Sequence, residues 1–307
     1  MVQPDAEVVT KSLFKACSDS LQVGLNCADR PPLLYHFTSA EGLLGILSEG
    51  GIWASLATSL DDKFEIRYAT ELAKEHLSQT ARAAPADRGF RQAMLSNLDS
   101  IVASVYGTFS AECYITSFCP DESSELHWSG YGRKGRGYAL GFDAKKLRTA
   151  PFDLAPILYD KKEQIGAIEL LCRAAMNAAA KLSQGWPPEI VREISEASAH
   201  IAATHFSLLA PRIKDPTLFE EAEWRLVTCE LFHNGERLQE GDIELGQGFS
   251  SANGTDVPHV VNNFAGQGLP ITELLVGPTA ATVLRGVSLQ ANLNRAGLND
   301  VSIRIRP

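Results

Sequence analysis

The chain has no run of apolar residues approaching the roughly 20 that a membrane-crossing helix needs. A helical membrane anchor is therefore not expected. Its first residues, Met1 to Glu7, carry acids and no base, so a basic-then-apolar secretory leader is missing and the expected compartment is the cytoplasm. The six cysteines (Cys17, Cys27, Cys113, Cys119, Cys172, Cys229) form no Cys-x-x-Cys pair, and no histidine stands at finger spacing from a close pair. A zinc site or a disulfide framework is not expected, and the cysteines read as small buried thiols in a reduced compartment. Positive charge is also short. The net charge of −9 gives no long-range pull towards DNA or RNA, although Arg133, Lys134 and Arg136 make a local basic turn. There is no Gly-x-Ser-x-Gly elbow for a serine triad. Gly132, Gly135, Gly137 and Gly141 have the wrong spacing for a phosphate loop or dinucleotide fingerprint. No internal repeat or low-complexity tract occurs.

What is there suffices for a large core: 307 residues, 45% of them apolar. Residues 1–30 read as a short helix and a loop, closed by Pro31-Pro32. Residues 31–307 then read as a single α+β domain. Leu33 to Phe37 is strand-like; Ser39 caps a helix that Gly50-Gly51 stops; Ile52 to Ser55 is a second short strand. Helical periodicity follows at 64–78 and 90–106. Further strands are expected at 113–118, 137–142, 157–159, 224–229, 257–264, 271–276 and 301–305. A helix is expected at 279–296, and a mobile loop at 250–254. Two amphipathic helices, 160–181 and 188–209, read as a helical hairpin inserted between strands. Strands at both ends around central helices fit α+β with a mixed or split sheet.

Three polar clusters could carry chemistry. Tyr35-His36-Phe37-Thr38-Ser39 ends a strand ahead of a helix whose free amides suit an anion. A cap beside a packed histidine is the simpler alternative. Thr116-Ser117-Phe118 precedes His127-Trp128-Ser129-Gly130-Tyr131, in which Trp128 and Tyr131 share a face if the segment is helical; flat rings there could stack on a base, or simply fill a core. Lys214 through Arg225 crowds charges at the entry to an apolar strand. Glu221 and Glu223 project to one face in extended chain, where mutual repulsion could raise one pKa for acid–base work. Arg225 paired to a glutamate is the plain alternative. A weaker segment, Asp61-Asp62-Lys63-Phe64-Glu65, could be no more than a helix cap.

In order, these motifs resemble those of the bacterial domain-of-unknown-function family 2971. The resemblance rests on Tyr35 to Ser39, the glycine–leucine helix at Gly42 to Leu47, Ile52 to Ser55, Asp61 to Glu65, Ser117-Phe118, Trp128, Tyr131, Gly137 to Phe142, and Lys214, Phe219, Glu221, Glu223, Trp224 and Arg225. It spans roughly residues 33 to 277. In the Asp61 to Glu65 element, Asp61 and Lys63 stand where the family carries Asn and Pro. More distantly, a strand-borne Tyr-His, then a strand hydroxyl, then Glu-x-Glu is similar to the NAD-binding order of ADP-ribosyltransferase folds. That likeness implies a split-sheet core of that type, NAD as substrate, and a protein or nucleic-acid acceptor, as in toxins, effectors or defence proteins. It implies Glu223, Glu221 and His36 as catalytic residues. It implies Tyr35, His36, Thr38, Ser39, Ser117, Trp128, Tyr131 and Arg225 around the dinucleotide, and no metal. The rival expectations are a non-catalytic nucleotide or ADP-ribose sensor and an RNA- or DNA-processing enzyme.

Overall fold

The structure is a computed structural model that describes residues 5–24, 31–59, 63–84, 87–102, 109–148, 152–233, 236–237, 246–252, 255–278 and 286–306. Helix α1 (Ala6–Gly24) precedes strand β1 (Leu33–Thr38), α2 (Ala40–Glu49) and β2 (Ile52–Leu56). Then come α3 (Lys63–Ala83), α4 (Arg88–Val102), β3 (Phe109–Phe118), α5 (Glu125–Gly130), β4 (Tyr138–Asp143), α6 (Ala144–Leu147) and β5 (Asp153–Pro156). Two long helices follow, α7 (Lys161–Leu182) and α8 (Pro188–Leu209). The chain closes with β6 (Trp224–His233), β7 (Glu236–Arg237), β8 (Gly246–Ala252), β9 (Thr255–Asn262), β10 (Ile271–Val276), α9 (Gly286–Arg295) and β11 (Ser302–Ile305).

The strands make two sheets, so the chain is α+β. One runs β1-β4-β10-β11, antiparallel except for the last pair; the other runs β5-β6-β3-β2-β9-β8, with β7 added to β6. Among the described residues one bridge joins their ladders. Tyr35 N–H donates to the Cys119 carbonyl at 2.8 Å, and Cys119 N–H returns to Tyr35 at 2.9 Å. Elsewhere β1 and β3 part, and the gap between them is where the cleft described below opens.

Strand alternation decides which residues meet there. In β3, Tyr114 and Phe118 face a core shared by both sheets, α2 and α9, which includes Leu43, Ile52, Phe142, Leu226, Leu274 and Leu293. Cys113 and Ile115 face the other way and pack with Val227 and Cys229. A second large core belongs to the helices: α1, α3, α4, α7 and α8 bury Leu13, Leu77, Met94, Ile168, Leu171 and Phe206 against one another. Each such side chain contributes roughly 1.5–3 kcal/mol by leaving water. The 160–210 hairpin is thus one half of a helical layer, and α1 lies across it.

Several expectations need correction. The strand expected at 157–159 lies at Asp153–Pro156: Ile157 N–H still donates to Glu223 O at 2.9 Å, but Glu223 N–H turns to the Tyr159 hydroxyl, and Leu158 makes only an isolated bridge to Ile213. Ser250 to Ala252, expected as a mobile loop, pair with β9 as the end of β8. Cys113 and Cys229, expected as free thiols, oppose each other in the β3–β6 register with Cα atoms 4.1 Å apart and are disulfide-bonded. Asp61 and Asp62 lie outside the described residues, as do the side chains of Lys63 to Glu65. No described helix is long and apolar enough to cross a membrane.

Candidate functional site

A cleft of about 350 Å³ opens where the sheets part. β1 lines it with Tyr35, His36 and Phe37, and β2 with Trp53 and Ser55. β3 gives Ile115 to Phe118, α5 gives His127, and Tyr131 follows it. The segment before β6 gives Lys214, Glu221 and Glu223, and β6 gives Arg225. The pleat aligns the floor, since Ser117 stands opposite Arg225 in the β3–β6 register.

The charges are concentrated at one end. Glu223 is buried, yet both its oxygens are held. Arg225 grips them with Nε to Oε1 at 2.7 Å and Nη2 to Oε2 at 3.0 Å, and Lys214 Nζ donates to Oε2 at 2.9 Å. Burial by itself raises a carboxyl pKa. Here Arg225 and Lys214, with the Ser117 hydroxyl, outweigh it and hold Glu223 down at about 2. The expectation that crowded carboxylates raise a pKa therefore fails for Glu223, because Arg225 grips it and Lys214 bridges it to Glu221. Lys214 also donates to Glu221 Oε2. Ala222, in the left-handed region (φ 44°, ψ 42°), closes the 3-10 turn Pro216–Glu221 and leaves both glutamates facing the same ammonium. The Arg225 guanidinium also caps the Pro211 carbonyl.

The anchor of this corner lies in the helical layer. Gln164 on α7 is fully buried, and its Nε2 donates to Lys214 O at 2.7 Å and Leu158 O at 2.8 Å. The Tyr159 hydroxyl accepts the backbone N–H of Glu223 at 3.2 Å.

Two histidines complete the walls. His36 Nδ1 lies 3.0 Å from the Ser117 carbonyl. A carbonyl only accepts, so Nδ1 carries the proton and neutral His36 keeps a lone pair at Nε2. Burial lowers the His36 pKa, partly opposed by that carbonyl. His127 is buried on α5, with Nδ1 2.8 Å from Ser124 Oγ. Its pKa is also lowered by burial, against the pull of Glu221 and Glu223. Tyr131, four residues on, is 63% exposed, with its ring 6.0 Å from that of His127.

Of the expected site residues, Tyr35, His36, Ser117, Tyr131, Glu221, Glu223 and Arg225 meet in this cleft. Tyr35 offers it only a ring, since its hydroxyl is committed to Glu273 and Glu122, which Arg304 also holds. Trp128 does not line the cleft. It is buried in α5, its Nε1 donates to Glu122 O at 2.8 Å, and its ring meets Phe37 edge-on. Thr38 and Ser39 lie outside it too. Ser39 Oγ accepts Gly42 N–H at 3.2 Å as the cap of α2, and Glu41 bonds to Ser39, so this helix start already holds a negative charge. Sequence reasoning names His127 and Lys214 within their clusters without giving either a role at the site, and gives none to Trp53. The available signal is the one-turn spacing of His127 and Tyr131. Among the described residues no cluster of three or more His, Cys, Asp or Glu side chains could hold a metal ion.

The family described as "Protein of unknown function (DUF2971)" matches residues 127–226, from His127 to the second residue after Trp224. Neither a curated protein nor a solved structure matches the chain.

Proposed function

We propose that the chain, which matches the DUF2971 family over residues 127–226, is an NAD-dependent ADP-ribosyltransferase-like enzyme acting on a macromolecular acceptor. One observation carries this reading. Three distant segments, in the order histidine, strand hydroxyl with exposed aromatic, and Glu-x-Glu, line one cleft at the parting of two sheets. That parting supports a split-sheet core of the ADP-ribosyltransferase type.

Breaking the bond between nicotinamide and ribose builds positive charge on the sugar, and a fixed carboxylate favours that charge. The sequence leads to the expectation that both glutamates act, with Glu223 leading. The geometry favours the reverse division of labour. Glu223 has both oxygens engaged and serves to fix Lys214 and Arg225. Glu221 has one oxygen on Lys214, and its Oε1 takes no hydrogen bond among the described residues, so it can turn to a ribose hydroxyl. The Tyr131 ring offers a stacking surface, and His36 Nε2 an acceptor for a ligand hydroxyl or amine.

The test is incubation with NAD and a cell-extract acceptor, reading nicotinamide release and label transfer. Wild type releases nicotinamide; Glu221→Gln slows release about a hundredfold. No release from wild type under any acceptor sinks the proposal. A second reading, a nucleotide sensor, is favoured by the mutual neutralisation of the four charges in the cleft. It predicts that NAD raises the melting temperature and stays intact.

A further inference from the structure

His36 and His127 both line the cleft; the Ser117 carbonyl fixes the tautomer of His36, and the Ser124 hydroxyl allows the opposite one at His127. The Ser117 carbonyl puts the His36 proton on Nδ1 and leaves Nε2 an acceptor. At His127 the partner is a hydroxyl. Ser124 caps α5, and its Oγ already accepts the His127 backbone N–H at 3.4 Å. Ser124 Oγ lies 2.8 Å from His127 Nδ1, and giving its hydroxyl proton to that nitrogen is one of the two arrangements open to the pair. A neutral imidazole that accepts at Nδ1 carries its proton on Nε2. We infer that His127 is the donor and His36 the acceptor of a pair that selects a neutral ligand edge carrying a carbonyl-type acceptor and an amino donor, as in a primary carboxamide or an aminopyridine-type base.

This rests on reading the cleft as a nucleotide site, but not on turnover. A carboxylate in place of the carboxamide has no donor for His36, so the site rejects it. The charges around His127 are Glu221, Glu223, Asp121 and Lys214, and the rings against it are Phe37 and Tyr131. Around His36 the contacts are the Ser117 carbonyl and the Phe118 ring.

Two measurements on the intact protein test the inference. Long-range proton–nitrogen spectra of protein labelled with nitrogen-15 histidine read the tautomers directly. One cleft histidine with the proton on Nδ1 (His36) and one with it on Nε2 (His127), assigned by His36→Gln and His127→Gln, is expected. The same tautomer at both overturns the pairing. Binding is then measured for nicotinamide, nicotinate and adenosine. Nicotinamide or adenosine, whichever the cleft takes, binds about tenfold tighter than nicotinate, the value of one well-made hydrogen bond. His36→Phe, which removes the acceptor that the carboxylate cannot satisfy, brings that ratio to about one. Equal binding of nicotinate, or binding of none of the three, overturns the ligand class. Opposite tautomers and amide selectivity without nicotinamide release leave the inference standing and remove the transferase reading alone.

Discussion

Two carboxylates, Glu169 and Glu223, sit in matched settings on either side of the molecule. Glu169 belongs to the helical layer. Arg91 on α4 grips it with Nη1 to Oε1 at 2.7 Å and Nη2 to Oε2 at 3.1 Å, and His76 on α3 adds a contact at 2.6 Å. Glu223 has its own arginine and a lysine. For both, burial alone raises the pKa and the cationic partners bring it below the ordinary carboxylate value. The difference is in what surrounds them. Glu169 ties three helices together within the helical layer, whereas Glu223 borders a cleft, beside a second acid and a left-handed alanine. Low pKa and buried ion pairing therefore do not mark a functional site by themselves. An adjoining cavity and a second carboxylate sharing the same lysine do.

The largest expected effect comes from removing either arginine. Arg225→Ala leaves the buried Glu223 with Lys214 alone and should cost about 3–5 kcal/mol in denaturant unfolding, and Arg91→Ala, at the half-buried Glu169, should cost less. Replacing both partners by leucine should recover most of that loss at Arg91/Glu169, because a packed apolar pair can substitute for a buried ion pair. The same double change at Arg225/Glu223 should leave nicotinamide release abolished however well the protein folds. Retained release would erase the contrast between the two sites.

Acid should separate the regions next. His205, in the helical core against Phe14 and Ser18, is held down at about 4 by burial. Its folded form binds fewer protons than its unfolded form, so its share of stability is present above about 6.5 and is lost as pH falls towards 4. The Glu223 share is likewise full above its ordinary value of 4.5 and is lost as pH falls towards 2. Unfolding free energy against pH should show both limbs, with His205→Phe removing the upper and Glu223→Gln the lower. A single limb shared by both variants would break the assignment.

The smallest effect sharpens the comparison at one backbone position. Ala222 sits at φ 44°, where a β-carbon is strained. Ala222→Gly should raise stability by about 0.5–1 kcal/mol, since relief of that strain exceeds the entropy glycine adds to the unfolded chain. A fall in the unfolding midpoint would show that the turn is not strained.

Local chemistry makes part of this fold legible in the sequence. Ser39 and Gly50 mark the ends of α2 because a cap and a left-handed stop act within a few residues. The long helices α7 and α8 show in their periodicity. Non-local pairing is the obstacle elsewhere. Nothing in the spacing of Cys113 and Cys229, 116 residues apart, announces that β3 and β6 share a register. Polar Gly246 to Ala252 looks like loop until β9 offers it a partner, although Asn253-Gly254 is a hairpin signal between them. In the site, His36, Ser117 and Glu223 are legible as separate clusters. Trp128 misleads because a tryptophan beside a tyrosine reads equally as stacking platform or core, and only burial separates the two. Lys214 stands in view within its charged segment, but its bond to two glutamates depends on the Ala222 turn.

Gln164 has a consequence for how this sequence can drift. Its amine meets three carbonyls, of Leu158, Tyr159 and Lys214, and its carbonyl accepts the Tyr68 hydroxyl at 3.1 Å. Glutamate would set an acceptor against three acceptors, leucine would take their side-chain donor away, and asparagine is a methylene too short. Position 164 thus admits one residue type while the helices around it remain free to exchange leucine for isoleucine or methionine. This amide ties the helical layer to the segment that carries Lys214, so the two regions can diverge in composition but not in placement.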